Sequence, residues 1–326
     1  MKTLKICAEM SCNHLGSLDR AKAIVRAAAA AGADLFKVQV WEPDTMCLDR
    51  AYKLDGGPWV GRTLFDLYHE AWTPWEWLPE LFDLARTLGM EPFGAAFDCA
   101  SVDYLETLGV KRHKVASFEL VDLPLIRYMA SKGKPMILSA GMATEAEIIA
   151  AVAEASDEVT LLACTSAYPA KSFYLNTGCG WWGFNTKSGA KTKPGLSDHS
   201  MGCGVACAAA YIGSVYIEKH LTLARADGGP DAGFSMEPDE FAMMVVECRR
   251  AKGAVWAPER GTKPGEAPHL RRSLYVAKDT AAGQPLVLCG NVRTSRPALG
   301  LPCDSRLTVA LRDLKAGEPL TQECMA

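Results

Sequence analysis

Short apolar runs alternate with segments of helical length along most of this chain, and that rhythm leaves few folds open. The runs cover 4–9, 33–41, 90–97, 112–118, 135–139, 159–165, 194–199 and 215–220. Helical stretches follow most of them. One spans 18–31, with Ser17 placed as N-cap and Gly32 as its stop. Another spans 73–88, where Thr73-Pro74 reads as N-cap and first helical residue. Further helices are predicted over 101–108, 123–131 and 144–155, the last opened by a Thr144/Glu147 capping box. Eight strands, most followed by a helix, over roughly 250 residues define a (β/α)8 barrel.

The unit 195–220 is the most informative. Two strands flank an Ala-rich segment, and each strand closes on a histidine, His199 and His220. In a parallel barrel the carboxyl ends of the strands carry the ligand site. Two neutral imidazoles meeting there suit a divalent metal; the alternative is a pair of hydrogen-bonded structural histidines. Polar residues end most of the other strands too: Glu9, Lys37, Lys114, Ser117, Glu119, Ser139, Thr165 and Ser166. A charge inside an apolar run is costly unless it faces a polar site. Two lysines with several hydroxyls suit a phosphate or carboxylate anion, and the two glutamates suit proton transfer or sugar hydroxyls.

Three stretches fit the barrel less well. Residues 42–72, with Pro43, Gly56, Gly57, Pro58 and Gly61, read as a long loop, a length that is usually functional. Residues 171–193, with Trp181-Trp182, read as an irregular loop where the sixth barrel helix belongs. After a helix over 237–252, a linker is expected at 257–270. A small β-rich domain then follows over 271–326, leaving 1–256 for the barrel.

A net charge of −3 argues against nucleic acid or an anionic membrane as the main partner. The 12 cysteines are scattered, with no C-x-x-C pair, and read as reduced thiols of a cytoplasmic protein. No run reaches membrane-spanning length, and the first residues carry no signal-peptide pattern.

The stretches AEMSCNHLGSLDRAK, GADLFKVQ, KVASFEL, GKPMILSAGMAT, LLACTSAYPA, GLSDHSMG, IEKHLTL and GGPDAGFSMEPDEF, then RRSLYVAKD, span nearly the whole chain. In them the chain resembles the N-acetylneuraminate (sialic acid) synthase family. EPDTMCLD, GRTLFDLYHEAWTPWEW and VASFEL resemble its pseudaminic acid synthase branch. The resemblance implies a barrel followed by an antifreeze-like (SAF) domain, in a homodimer where each SAF domain caps the other chain's barrel. It implies a transferase that condenses phosphoenolpyruvate with an open-chain 6-deoxy diacetamido sugar, 2,4-diacetamido-2,4,6-trideoxy-L-altrose, to a nonulosonic acid and phosphate. N-acetylneuraminate or legionaminic acid synthesis, or a non-catalytic binding paralogue, are the alternatives.

By resemblance, Mn2+ or Mg2+ sits on His199 and His220. Lys37, Lys114, Ser117, Ser139 and Ser197 hold phosphoenolpyruvate, with Ser166 and Tyr168 close by. Glu9 and Glu119 flank the reacting atoms beside Lys114. Asp231 binds sugar hydroxyls, and Arg296 reaches an N-acetyl group across the dimer. The family's STPFD is GAAFD here, so Ala95 stands where a phosphate-binding hydroxyl is usual. One hydrogen bond to a charged group is worth ~1.5–3 kcal/mol.

Overall fold

The computed structural model describes residues 4–171, 184–186, 189, 191–254 and 261–326. The chain divides into two compact units, Met1–Val255 and Trp256–Ala326. In the first, strands β1 (Lys5–Glu9), β2 (Leu35–Val40), β3 (Glu91–Ala96), β4 (His113–Val115), β5 (Met136–Ser139), β6 (Val159–Cys164), β7 (Lys193–Asp198) and β8 (Tyr216–His220) close a barrel in sequence order. All neighbouring pairs are parallel, and β8 returns to β1 with Glu9 opposite His220.

Local signals explain the helices. α1 (Leu18–Ala30) starts where the Ser17 side chain accepts from Arg20 N, and it buries Ala21, Ile24, Val25 and Ala28. That spacing is one face of a helix, turned to the barrel. After β3, α5 (Cys99–Thr107) is opened by a reciprocal Asp98/Ser101 capping box. α6 (Leu123–Ala130) is capped by Asp122, and α7 (Glu145–Glu154) by the expected Thr144/Glu147 box. α8 (Gly204–Ile212) is the Ala-rich segment, and α9 (Pro238–Gly253) packs beside it.

Three expectations are corrected. The stretch 42–72 is not one loop: it holds α2 (Pro43–Met46) and α3 (Leu64–Ala71), the latter capped by the Thr63 side chain. Thr73 does not cap a helix. Its hydroxyl bonds the buried His14 Nε2 at 3.1 Å, and α4 (Leu78–Thr87) starts one turn later, after a short 3-10 turn at Trp75–Trp77. β4 ends at Val115, so Ser117 and Glu119 sit in the turn beyond it. The expectation for 171–193 falls largely outside the described residues, as does the start of the proposed linker.

Behind the two histidines lies a buried ion pair. Lys219 Nζ is 2.8 Å from Asp198 Oδ2 and 2.5 Å from Ser200 O, and Asp198 Oδ1 takes the Ser200 N–H and hydroxyl. Asp198 and Lys219 are register partners on β7 and β8. Because side chains alternate along a strand, Ser197, Glu218 and the two histidines point the other way, into the barrel. Removing one partner of a buried pair costs about 3–5 kcal/mol. Lys219→Met is expected to lose that much in denaturant unfolding. Lys219→Met combined with Asp198→Asn should recover most of it, since a carboxamide leaves no charge stranded. Equal losses in single and double variants would contradict the pair's role.

In the second unit, β9 (Ser273–Val276) and β10 (Val292–Ser295) form an antiparallel pair. Leu274, Val276, Leu286, Val292, Ala310, Leu314 and Leu320 make its apolar core.

Candidate active site

Inside the barrel, Glu9, Lys37, Lys114 and Glu218 are buried together. Lys37 Nζ lies 2.8 Å from Glu9 Oε2 and 3.1 Å from Glu218 Oε1. Glu218 also accepts from the Tyr216 hydroxyl at 2.8 Å and the Ser197 hydroxyl at 3.3 Å. One ammonium cannot fully serve two buried carboxylates. Glu218, helped by Lys37 and Lys114 against its burial, is held below the usual carboxylate range. Burial pushes Glu9 up to about 7 despite Lys37. Lys37 is raised: burial opposes its charge, but Glu218 and Glu9 outweigh it.

Lys114 Nζ donates to Val115 O and to Ser139 Oγ, both at 2.7 Å. Burial lowers its ammonium to about 8. Ala95 is fully buried and in register with Lys114. In the turn after β4, Ser117 Oγ accepts from Gly141 N at 3.2 Å. A Cβ on Gly141 would stand 2.8 Å from that oxygen, so the β5 turn needs glycine for this close approach. Burial pushes Glu119 up to about 7, against the pull of Lys114.

The imidazoles of His199 and His220 converge, with ring centroids 5.4 Å apart. His199 Nδ1 is 2.9 Å from Thr165 O, which makes it the donor; burial opposes the ring's charge, but Cys164 and the Thr165 carbonyl outweigh it and raise the imidazole above its usual range, so Nε2 offers a lone pair in the neutral ring only. Cys164 Sγ lies 3.8 Å from the same Nδ1 and 3.8 Å from Ser166 Oγ. Burial works to raise the Cys164 thiol, but His199 and hydrogen bonds from Ser117 and Ser166 bring it down to about 7. His220 is held well below the usual range by burial and by His199, Lys37 and Lys219, so it is a neutral imidazole. Its Nδ1 is buried without a hydrogen-bond partner, 3.6 Å from Asp231 Oδ2. Ser11, in a left-handed backbone conformation, donates to that carboxylate oxygen at 2.5 Å. The Tyr168 ring packs 4.5 Å from His199.

A chamber of about 430 Å³ opens onto these groups. Of the residues singled out from sequence, Lys37, Lys114, Ser117, Glu119, Ser139, Tyr168, Ser197, His199, His220 and Asp231 line it. Glu9 sits beside it on Lys37, and Ser166 beside it on Cys164. Arg296 belongs to the second unit. Sequence reasoning missed Glu218, Ser11 and Cys164. Glu218 was within reach: it is two residues before His220 on one strand, so it must share that face.

Among the described residues no group of three or more His, Cys, Asp or Glu side chains is arranged to hold a metal ion. The groups that could hold an ion there are the two converging imidazoles, one with an unpartnered buried nitrogen. That fits an open site whose other positions fall to water, substrate or Asp231. Among the described residues no helix is long and apolar enough to cross a membrane.

A parallel barrel with charged and imidazole groups gathered at the carboxyl ends of its strands is the layout of a barrel enzyme. Residues 24–258 match the NeuB family, and the chain belongs to that family. It is 36% identical to the pseudaminic acid synthase of Helicobacter pylori, over 98% of this chain and 97% of that one. It is 33% identical to the N,N'-diacetyllegionaminic acid synthase of Legionella pneumophila, over 86% of this chain and 82% of that one. Among solved structures, the N-acetylneuraminic acid synthetase of Leptospira borgpetersenii, in complex with citrate, superposes with a TM-score of 0.70 at 27% identity. The match covers 80% of this chain and 88% of that one.

Proposed function

We propose that the protein condenses phosphoenolpyruvate with 2,4-diacetamido-2,4,6-trideoxy-L-altrose to give a nonulosonic acid and phosphate. The observation that carries this reading is the meeting of Lys37, Lys114 and the two imidazoles at one chamber. The enol carbon of phosphoenolpyruvate adds to the sugar aldehyde, water adds at C2, and phosphate leaves by C–O cleavage. A divalent metal, Mn2+ or Mg2+, held by His199 and His220 supplies Lewis-acid polarisation of the aldehyde carbonyl.

The chain's own residues do the rest. Lys37 and Lys114, with Ser117, Ser139 and Ser197, take the phosphate and carboxylate, and Ser166 and Tyr168 border them. Glu218 keeps Lys37 charged and oriented. Asp231 holds sugar hydroxyls. Glu119 accepts the proton of the attacking water, and its position near 7 matches that task. In the same reading the second unit is a SAF domain that caps the partner's barrel in a cytoplasmic homodimer, and Arg296 meets an N-acetyl group there.

The test is phosphate release from phosphoenolpyruvate, expected only with both sugar and metal. No release with any nonulosonic acid precursor would favour a non-catalytic binding protein instead. If Glu119 is the base, kcat/KM falls as pH drops through about 7, and Glu119→Gln removes that limb. A limb unchanged in Glu119→Gln would move the role to Glu9, the other carboxyl near 7.

A further inference from the structure

Away from the chamber, α8 and α9 pack against each other. The buried face of α8 is alanine: Ala206, Ala209 and Ala210. So little side chain lets a neighbouring helix come close. At this seam Cys207 of α8 meets Cys248 of α9, with their sulfurs 3.9 Å apart. Both are free thiols. Cys248 is fully buried and Cys207 part-exposed, so a reagent from solvent meets the pair at Cys207. Sulfurs already in van der Waals contact have about 2 Å left to travel to a disulfide bond of about 2.05 Å.

A third thiol, Cys203, stands at the head of α8. It is one turn from Cys207 on the same helix, where β-carbons are about 5–6 Å apart. A disulfide needs them at about 3.5–4.5 Å, so Cys203 cannot bond Cys207 while the helix holds. Burial raises the thiols of Cys207 and Cys248 above their usual range, and Cys203 adds to both shifts. Their contact, not an activated thiolate, is what favours the bond.

We infer that Cys207 and Cys248 are a redox modification site, which a small-molecule disulfide converts to an internal disulfide that staples α8 to α9. Cys207, as thiolate, attacks one sulfur of the small disulfide; a mixed disulfide forms and one thiol leaves. Cys248 then gives up its proton and attacks the Cys207 sulfur, and the second thiol leaves. Two protein thiols are oxidised, one small disulfide is reduced to two thiols, and the two cysteine protons end on those leaving groups. The bonded residues are 41 positions apart, and the loop between them holds Glu218, His220 and Asp231. Closing a loop of that length restricts the unfolded chain more than the folded one, so the stapled protein is the more stable.

The experiment incubates the full chain with oxidised glutathione at mildly alkaline pH and blocks the remaining thiols with iodoacetamide. The digest is read by mass spectrometry without reduction. The expected result is a peptide pair joined through Cys207 and Cys248 and released by dithiothreitol. With it, Tm of the oxidised protein stands about 4–16 °C above that of the reduced one. Cys203→Ser should keep both results. Cys207→Ser, checked for folding by a melt of the reduced protein, should lose both. No linked pair in the folded protein, a link made through Cys203, or a Tm that does not rise on closure overturns the inference. None of these readouts depends on turnover, so the inference stands or falls apart from the condensation reading.

Discussion

His220→Ala is expected to abolish metal-dependent turnover while the barrel stays folded. The residue ends β8 as one of two converging imidazoles, held neutral by burial, with a ring nitrogen that no protein group occupies. Truncation removes a ligand and leaves no buried charge behind, so the stability cost is confined to lost packing. Loss of a group acting on the transition state costs on the order of 10²–10³-fold or more in kcat. The accompanying readout is metal affinity, measured by titrating Mn2+ into wild type and variant. Binding should weaken by at least tenfold. Full turnover at saturating Mn2+ would show that His220 holds no metal.

Lys37→Met should be the most damaging substitution to fold and activity together. It strips the cation from between Glu9 and Glu218, both buried carboxyls on strands of the barrel. An orphaned buried charge costs about 3–5 kcal/mol. At about 2–4 °C per kcal/mol for a domain of this size, Tm falls by roughly 6–20 °C. The pH dependence identifies the cause. Without Lys37 both carboxyls titrate above their unfolded value, so the folded state binds protons more tightly than the unfolded one. Stability then rises as pH falls from about 8 towards about 5. Wild type should show a weaker trend, because Glu218 is held low by Lys37 and Lys114. A Lys37→Met melting temperature that is flat across that range would place the loss in packing and not in charge.

Much of the fold was legible because its signals are local. Ser17, Thr144 and the Gly32 stop mark helix ends within a few residues, and the eight apolar runs mark strands whose order a parallel barrel dictates. What failed depended on distant partners. Thr73 looks like a helix cap until its hydroxyl meets His14, fifty-nine residues earlier. α2 and α3 are too short to show a helical period, and Gly56, Gly57 and Gly61 between them read as loop. The lysines and histidines of the site stood out because charge inside an apolar run needs a reason. Glu218 has the same reason but sits between Tyr216 and His220, where the histidine drew the reading. Cys164 passed as one more buried thiol, since only the structure sets it beside His199.

The central claim is that one chamber seats an enol phosphate on two lysines beside an ion on two imidazoles. A crystal structure of the protein soaked with Mn2+ and phosphoenolpyruvate, read at the manganese absorption edge, tests it most directly. The account predicts one strong anomalous peak bonded to both His199 and His220, with the phosphate in contact with Lys37 or Lys114. A manganese peak away from that pair, or phosphoenolpyruvate bound outside the chamber, would contradict it.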